Sequence, residues 1–314
     1  MMVLRSLLFV PGHIMRMIHK AATLPADAII FDLEDAVPLP DKETARVLVR
    51  DTMAAVKSGG AYIFVRINAL TTNLTAEDIK YVATKDLDGV LLSKAEQGPD
   101  VCQVAGLLEA REKVLGLATG TFKIIPLVET AKGVINAYEI AAASVRTVAV
   151  GFGAGDYYRD LGRSVASLSP EQTELLYARS QTVVASRAAG VPALDTVFFG
   201  RLTDKEGLAR EAQHALQLGY KGKMTIHPDQ VDVVNRIFSP PPEEAEFARK
   251  VVAAFEEAQS QGLGAISFEG KMIDVMNYRQ AKDLVDFVDI ISEREKKRGQ
   301  TPYVSVFKFF EAMG

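Results

Sequence analysis

Two carboxylates stand where buried strands of this chain are expected to end. Glu129 follows the apolar run from Ile124 to Val128, and Asp156 follows the run from Val148 to Gly151 after a glycine-rich turn. An unpaired carboxylate in such a place is costly, so a cation is expected beside each one. Two acids at the ends of neighbouring parallel strands would hold a hard divalent ion through oxygen and leave positions open for a substrate. The pattern predicts a metal site of Glu129 and Asp156.

The composition indicates which ion such a site would take. The chain has one cysteine and four histidines, so it offers few ligands of the kind that zinc prefers. Oxygen ligands suit Mg²⁺, with Mn²⁺ as an alternative. A purely structural interpretation, in which each acid pairs with a nearby Arg or Lys, stays open at this point.

The glycines at 151, 153 and 155 do not make a dinucleotide-binding fingerprint, because the third glycine comes one position early. They are predicted instead to form a backbone nest. Its amides, with Gly155 among them, would face a substrate carboxylate or an oxyanion.

Arg66 ends a third apolar run, Tyr62 to Val65, and is predicted to project into the same site. A guanidinium there would clamp a carboxylate and stabilise negative charge that develops on a carbonyl oxygen. The alternative is an ion pair with Glu34 or Asp35, and the two functions are compatible. Glu34 and Asp35 are predicted to support the site and its substrate rather than to bind the metal.

Arg16 and Lys20 lie one turn apart on the first predicted helix. They are candidates for contact with the phosphates of a substrate, and a solvated helix face explains the spacing equally well. His227, before Pro228, is predicted to make local hydrogen bonds rather than to act in catalysis.

The elements that must position these residues alternate regularly between strand and helix. Eight alternations within about 240 residues favour a closed α/β barrel, the (β/α)₈ TIM barrel. In this fold the functional residues lie at the carboxyl ends of the strands. Residues 1–238 are predicted to form this catalytic barrel and residues 239–314 a C-terminal helical extension, which serves as a cap or an oligomer arm. The predicted strands are Leu4 to Val10, Ala26 to Phe31, Tyr62 to Ile67, Gly89 to Leu92, Ile124 to Val128, Val148 to Gly151, Thr196 to Phe199 and Met224 to Ile226.

Composition and charge exclude several classes of partner. The formal net charge is −4 and no block of basic residues is present, which argues against nucleic acid and against acidic membrane surfaces. No apolar run approaches the ~20 residues that span a bilayer. The single Cys102 rules out an internal disulfide framework. A soluble cytoplasmic protein is expected, with an apolar tail from Val304 to Met313 that is expected to pack on an unspecified surface.

Several short stretches, in order along residues 4 to about 285, closely resemble the citrate lyase β-subunit-like proteins of the HpcH/HpaI aldolase superfamily. These stretches are Arg5 to Gly12, Asp32 to Val37, Val65 to Asn68, Val128 to Gly133, Gly153 to Tyr157 and Gly270 to Asp274.

The resemblance implies a (β/α)₈ barrel that forms homo-oligomers, trimers or hexamers, and that binds Mg²⁺. It implies an enzyme that makes or breaks a carbon–carbon bond in a CoA thioester such as malyl-CoA, β-methylmalyl-CoA or citramalyl-CoA, with an acyl-CoA and a 2-oxo acid as the other partners. By this likeness Glu129 and Asp156 are the metal ligands, and Arg66 is the substrate clamp. Asp274, which in isolation is typical of a helix cap, matches an aspartate that reaches a neighbouring subunit's site as acid or base.

Two other functions remain open. The chain is alternatively the β subunit of a multi-subunit citrate lyase, acting on a thioester of an acyl-carrier protein. A protein without catalysis on a retained barrel is the third possibility, and the presence of every motif acid disfavours it.

Overall fold

The computed structural model describes residues 2–169 and 171–300, so the apolar tail from Val304 to Met313 lies outside the described residues. Within them the chain divides into two compact units, residues 2–238 and residues 239–300. None of the helices in the described ranges has the length and apolar character needed to cross a membrane.

The first unit is a closed barrel of eight parallel strands in sequential order, which confirms the predicted TIM barrel. The strands are β1 (Ser6–Pro11), β2 (Ala28–Asp32), β3 (Tyr62–Ile67), β4 (Gly89–Leu92), β5 (Lys123–Val128), β6 (Val150–Phe152), β7 (Ala193–Asp195) and β8 (Gly222–Thr225).

Helices cover the outside of the barrel and connect its strands. They are α1 (Met15–Ala21), α2 (Lys42–Lys57), α3 (Thr75–Val82), α4 (Gly98–Leu115), α5 (Ala131–Ile135), α6 (Ala137–Ala142), α7 (Ala154–Asp160), α8 (Leu176–Ala188), α9 (Lys205–Leu218) and α10 (Pro228–Ile237).

Side chains alternate between two layers of core along each strand. Ile30, Phe64 and Leu127 belong to the cluster inside the barrel, whereas the next residue on each strand packs outward against the helices. The residue after that returns to the inner side, at the carboxyl end of its strand. The positions that follow this rule are Asp32, Arg66 and Glu129.

A buried network of charges, the wall network, lies on the outer side of the barrel wall. Lys223 of β8 donates to Asp195 Oδ2 at 2.7 Å and also to Glu211. Arg179 of α8 donates to both oxygens of Asp195, at 3.0 and 3.1 Å. These four side chains join α8 and α9 to the sheet.

The barrel closes where β8 pairs with β1, and Gly222 permits that approach. A Cβ at this position would overlap the carbonyl oxygen of Leu4 and lie 2.9 Å from that of Arg5. Lys223 N–H donates to Arg5 O at 2.8 Å across this seam. The absence of a side chain at residue 222 therefore allows the ladder to form.

Sequence-based strand prediction is wrong at β7. The predicted strand was Thr196 to Phe199, but the observed strand is Ala193–Asp195. The apolar residues 197–199 have strand-like composition, yet the strand ends at Asp195 because that buried carboxylate is held by Arg179 and Lys223. The helical stretch after β5 is divided into α5 and α6 at Asn136, whose side chain donates to Glu96 O.

The second unit, residues 239–300, contains two long helices and a small antiparallel sheet. These elements are α11 (Pro242–Ser260), β9 (Ile266–Phe268), β10 (Lys271–Ile273) and α12 (Val275–Gln300). Its small core includes Val251, Phe255 and Ile273. The two-stranded sheet was not predicted from the sequence.

Candidate active site

Arg66 and Asp32 form the best-defined pair at the barrel mouth. The two residues are register partners on β3 and β2. Arg66 Nε donates to Asp32 Oδ1 at 2.8 Å and Nη2 donates to Oδ2, while the guanidinium lies 5.0 Å from the centre of the Phe9 ring. Burial raises the pKa of Asp32, but Arg66 and two backbone N–H groups outweigh it, so the net pKa is lowered. Asp32 thereby fixes the orientation of Arg66.

The ion pairs left open for Arg66 are also present. Nη1 of Arg66 lies 3.0 Å from Glu34 Oε2 and 3.8 Å from Asp35 Oδ2. Glu34 is 6% exposed and also accepts a hydrogen bond from Lys94 Nζ, whereas Asp35 is largely exposed. Glu34 is thus inside the site and Asp35 is at its edge.

Glu129 is buried at the end of β5 and short of compensating charge. Its Oε1 accepts a hydrogen bond from the backbone N–H of Lys94 at 2.7 Å. Burial, followed by the negative charges of Glu34 and Asp156, raises the pKa of Glu129 to about 8, although Arg66 and Lys94 act in the opposite direction. A carboxyl group in this state favours either a proton or an added cation.

Gly153 makes room for Glu129. A Cβ on Gly153 would lie 2.6 Å from the Cβ of Glu129 and would overlap its Oε2. The backbone of Gly153, at a φ of −102°, is in an ordinary region, so glycine is needed here for space alone. The carboxylate of Glu129 therefore lies directly against the turn after β6.

Asp156 requires a correction to its predicted position at a strand end. It lies in the first turn of α7, which the sequence did not predict. Ala154 N–H donates to Thr196 Oγ1 at 3.1 Å and holds the start of this helix. Asp156 Oδ1 lies 2.6 Å from Nη2 of the exposed Arg159, and Oδ2 lies 3.9 Å from Lys94 Nζ. The helix, rather than the strand, brings this acid towards Glu129.

Lys94 is the site residue whose role sequence reasoning missed. It follows β4 and contacts three acids, Glu129 through its backbone and Glu34 and Asp156 through its side chain. Its place after a predicted strand was the available signal. We call the following six side chains the mouth cluster: Asp32, Glu34, Arg66, Lys94, Glu129 and Asp156.

A second, deeper contact holds the acidic stretch in place. The buried Lys42 Nζ donates to the carbonyls of Leu33 and Glu34 and, at 2.8 Å, to Asn68 Oδ1. Asn68 Nδ2 in turn donates to Leu33 O at 3.0 Å. Hydrogen bonds from Lys42 and Asn68 therefore fix the turn that carries Glu34.

The predicted glycine nest forms only in part. Gly153 N–H donates to Val128 O, and Ala154 N–H donates to Thr196, so these two amides are already engaged. Gly155 belongs to the first turn of α7, where amides lack a carbonyl partner within the helix. The role of the Gly155 amide towards a substrate stays a prediction.

Arg16 and Lys20 are both exposed on α1. Lys20 lines an open cavity of about 380 Å³, and Arg16 is not part of that lining. The cavity also presents Lys205 and Arg236, together with the acids Asp229 and Asp232. His227 caps α10 by accepting a hydrogen bond from Asp229 N–H, which confirms its structural role.

Asp274 lies in the second unit and caps α12. Its Oδ1 accepts from Met276 N–H at 2.9 Å and from Asn277 N–H at 3.0 Å, and Asn277 Oδ1 accepts from Asp274 N–H. The side chain is half-buried. The cap that the isolated sequence suggests is therefore present, and the catalytic role stays a prediction.

The residues of the mouth cluster fit a divalent ion. No group of three or more His, Cys, Asp or Glu side chains is arranged to hold a metal within residues 2–169 and 171–300. The predicted pair supplies two carboxylates, which matches the preference of Mg²⁺ for few protein ligands and several water or substrate oxygens. The raised pKa of Glu129 and the space left by Gly153 support this fit.

Comparison with known proteins decides the family. The model of the HpcH/HpaI aldolase/citrate lyase family matches residues 5–228. The chain belongs to this family. Membership confirms the resemblance noted in the sequence and the expectation of an enzyme of the carbon–carbon lyase class.

Two kinds of curated relative match nearly the whole of this chain. The citrate lyase β subunit of Leuconostoc mesenteroides is 40% identical over 291 residues, which cover 90% of this chain and 95% of the relative. A (3S)-malyl-CoA thioesterase of Cereibacter sphaeroides is 33% identical, with 92% and 95% covered. This chain is therefore similar both to a subunit of citrate lyase and to an enzyme that acts on a CoA thioester.

A solved structure adds ligands to the comparison. CitE of Mycobacterium tuberculosis, in complex with magnesium, acetoacetate and coenzyme A, is 33% identical, with a TM-score of 0.69 and coverage of 90% of this chain and 97% of that chain. A citrate lyase of Burkholderia xenovorans, 20% identical with a TM-score of 0.79, supports the fold alone. Magnesium and coenzyme A, predicted for this chain, are thus the ligands of a structural neighbour.

Proposed function

We propose that this protein is a Mg²⁺-dependent lyase that cleaves, or in reverse forms, a 3-hydroxyacyl-CoA such as malyl-CoA, β-methylmalyl-CoA or citramalyl-CoA. The products of cleavage are an acyl-CoA and a 2-oxo acid. The observation that carries the proposal is the burial of Glu129 at the mouth of a barrel of this family, where the charges of Asp156 and Arg66 both act on its carboxyl group. The magnesium and coenzyme A in the neighbouring structure support the same chemistry.

Glu129 and Asp156 would hold the Mg²⁺ ion, or Mn²⁺ in its place. A bound ion would offset negative charge on the carboxylate and the adjacent oxygen of the substrate. Gly153 keeps Glu129 in position, and Thr196 keeps the helix of Asp156 in position.

Arg66 binds the substrate's negative charge. A guanidinium carries five N–H donors, and Asp32 accepts from Nε and from Nη2. The second N–H of Nη2, and the N–H groups of Nη1 beside Glu34, would meet a substrate oxygen in an orientation set by Asp32. The amide of Gly155, in the first turn of α7, would add a further donor for charge that develops on an oxygen.

The bond cleavage balances as a retro-aldol step. A base removes the proton of the 3-hydroxyl, and the bond between C2 and C3 then breaks. The carbon that carried the hydroxyl becomes the carbonyl carbon of the 2-oxo acid. The electron pair of the broken bond passes to the thioester, which becomes an enolate. That enolate is then protonated to give the acyl-CoA. The proton-transfer group in this proposal is Asp274 of a neighbouring subunit in a homotrimer or hexamer. Such a group contributes about 10²- to 10⁴-fold to the rate.

The CoA part of the substrate would run along α1. Arg16 and Lys20 offer exposed positive charge for its phosphates, and the cavity beside Lys20 adds Lys205 and Arg236. Removal of a single phosphate contact should raise KM more than it lowers kcat, because binding of this remote part is the same in ground and transition states. The single cysteine accords with the cytoplasm as the proposed location.

The test is a panel of hydroxyacyl-CoA thioesters assayed with Mg²⁺ and with EDTA. The expected result is Mg²⁺-dependent release of a 2-oxo acid that is lost in Glu129→Ala and Asp156→Ala. Free CoA thiol is measured in parallel, because a relative is a thioesterase. Turnover without Mg²⁺, or full activity of either variant, would contradict the proposal.

The shared site is tested by mixing two inactive variants, Arg66→Ala and Asp274→Ala. Subunits that exchange should regain part of the activity, since some sites then combine an intact Arg66 with an intact Asp274. Native mass spectrometry confirms that mixed oligomers have formed. No recovery in such oligomers would contradict a site shared between subunits and would leave the metal site untouched.

A second candidate function is the β subunit of a citrate lyase complex. The 40% identity to such a subunit over 95% of its length favours it. The two functions differ in the carrier of the thioester. Cleavage of hydroxyacyl-CoA by the purified chain alone supports the first, and activity confined to thioesters of an acyl-carrier protein supports the second.

A further inference from the structure

Lys94 adopts a backbone conformation that few residues with side chains adopt. Its φ is +51°, in the left-handed region. In this conformation the N–H group donates to Glu129 Oε1 while the side chain reaches Glu34 and Asp156. A single residue therefore contacts one predicted metal ligand by its backbone and the other by its charge.

The ammonium group of Lys94 stands among acids that have few other cations. It donates to Glu34 Oε1 and lies 3.9 Å from Asp156 Oδ2. Arg66, the other cation of the mouth cluster, is paired mainly with Asp32. Asp156 Oδ1 also pairs with the exposed Arg159 outside the cluster, at 2.6 Å, so Lys94 is the cation of the mouth cluster itself that lies on the side of Asp156.

We propose that Lys94 is the built-in counter-ion of Glu34 and Asp156 in the metal-free enzyme and that its charge weakens the binding of the divalent ion. The inference rests on the proposed metal site of Glu129 and Asp156. Without the ion, the ammonium stabilises the acids at the mouth. An ion held by Asp156 would be repelled by the ammonium group, which lies 3.9 Å from Asp156 Oδ2. Lys94 is a positioning residue that sets the affinity for the metal and keeps the acids together before the metal arrives.

The test titrates Mn²⁺ into full-length protein and measures the free ion by its electron paramagnetic resonance signal. Lys94→Met keeps the length and the apolar stem of the side chain but removes the charge, and it should bind Mn²⁺ about tenfold more tightly, as expected for loss of a charge at this distance. Lys94→Arg keeps the charge and should bind like the wild type. Lys94→Gly relieves the left-handed backbone and also removes the charge, so it should match Lys94→Met.

Thermal unfolding gives a second readout. In EDTA the melting temperature of Lys94→Met should fall below that of the wild type and of Lys94→Arg. Added Mn²⁺ should raise the melting temperature of Lys94→Met by more than it raises that of the wild type, because the divalent ion replaces the missing positive charge. Lys80→Met is the control, since Lys80 is an exposed lysine on α3 paired with Glu77.

The outcomes separate the inference from the proposed function. If Lys94→Met binds Mn²⁺ no more tightly than the wild type, the proposed role of Lys94 is overturned. If Asp156→Ala also abolishes the binding seen in the wild type, the metal site is retained. Tighter binding by Lys94→Gly but not by Lys94→Met assigns the effect to the backbone and also overturns it. No binding by the wild type or by any Lys94 variant overturns both the inference and the proposed metal site.

Discussion

The mouth cluster and the wall network are both buried groups of charges in the same barrel, but their charge counts differ. In the wall network Asp195 and Glu211 face Arg179 and Lys223, so the formal sum is zero. In the mouth cluster four acids face two bases, so the formal sum is −2. The exposed charges at its edge, Asp35 and Arg159, cancel each other.

The difference separates a structural network from a binding site. A buried network with balanced charge and complete hydrogen bonds ties elements together and needs nothing added. A buried network with a deficit of two positive charges matches one divalent ion. The pKa of Glu129 is raised to about 8, which indicates that this carboxyl group lacks compensating positive charge.

Lys223→Met should produce the largest loss of stability. The substitution leaves Asp195 and Glu211 without the ammonium that each of them contacts, and breaking a buried pair in this way costs about 3–5 kcal/mol. Urea unfolding measures the change. Mg²⁺ should not restore the loss, because the network lies outside the metal site. Lys113→Met, at an exposed ion pair with Glu109, is the matched control and should change little.

Gly153→Ala should act on the mouth cluster without changing its charge. The added methyl group overlaps the carboxylate of Glu129 and displaces it. A misplacement of about 1 Å at a reacting centre lowers kcat/KM by about 10²-fold. Gly106→Ala on α4, where an added Cβ meets nothing within 4 Å, should leave kcat/KM intact. Wild-type Mn²⁺ affinity in Gly153→Ala would contradict the clash.

Glu129→Gln should stabilise the metal-free protein at high pH. The pKa of Glu129 is raised from 4.5 to about 8, so the folded wild type loses stability as the pH rises through this window. The glutamine variant lacks that loss and should gain about 2 kcal/mol at pH 8, with no gain below pH 4.5. Thermal unfolding in EDTA across pH measures the gain.

Glu112→Gln is the opposite case and serves as the control. Burial raises the pKa of Glu112, but its pairing with Arg146 and two backbone N–H groups lowers it overall. Its ionised form is therefore the stable one, and the glutamine variant should lose stability at neutral pH. If both variants lost stability at pH 8, the charge deficit at the mouth would be refuted.

Thr196→Val should have the smallest effect. The isosteric change removes the acceptor of Ala154 N–H and loosens the start of α7, which carries Asp156. We expect kcat/KM to fall about tenfold, the equivalent of about 1.4 kcal/mol, with a parallel loss of Mn²⁺ affinity. Thr121→Val, at an exposed threonine before β5, should have no effect on either quantity. A loss of stability without a change in Mn²⁺ affinity would show that Thr196 does not position Asp156.

The sequence predicted the barrel because apolar strands and amphipathic helices alternate eight times, and β3 and β4 were located with their observed bounds. It also predicted that Glu129 and Arg66 share the barrel mouth, because each residue ends an apolar run, while their roles in catalysis stay predictions. It failed at β7, where the strand ends at a buried Asp195 whose partners, Arg179 and Lys223, lie far along the chain.

The missed parts of the site depend on contacts that local pattern does not encode. The short helix α7 begins where Thr196, 42 residues later, accepts from Ala154 N–H. The role of Lys94 depends on a left-handed backbone at a residue with a long side chain, which composition does not indicate. The pairing of Asp32 with Arg66 was not predicted, and only the register of β2 with β3 identifies it.

The seam at Gly222 has a consequence for how the barrel assembles. Seven of the strand pairings join neighbours in sequence, but β1 and β8 come from opposite ends of the unit, and the bond from Lys223 to Arg5 spans more than 200 residues. Contacts between such distant residues carry a large entropy of loop closure and tend to form late in folding. A chain that has reached β7, or that carries a bulky residue at 222, would expose two open sheet edges. Such edges can pair with other chains. A residue remote from the chemistry thus controls whether the protein closes on itself or aggregates.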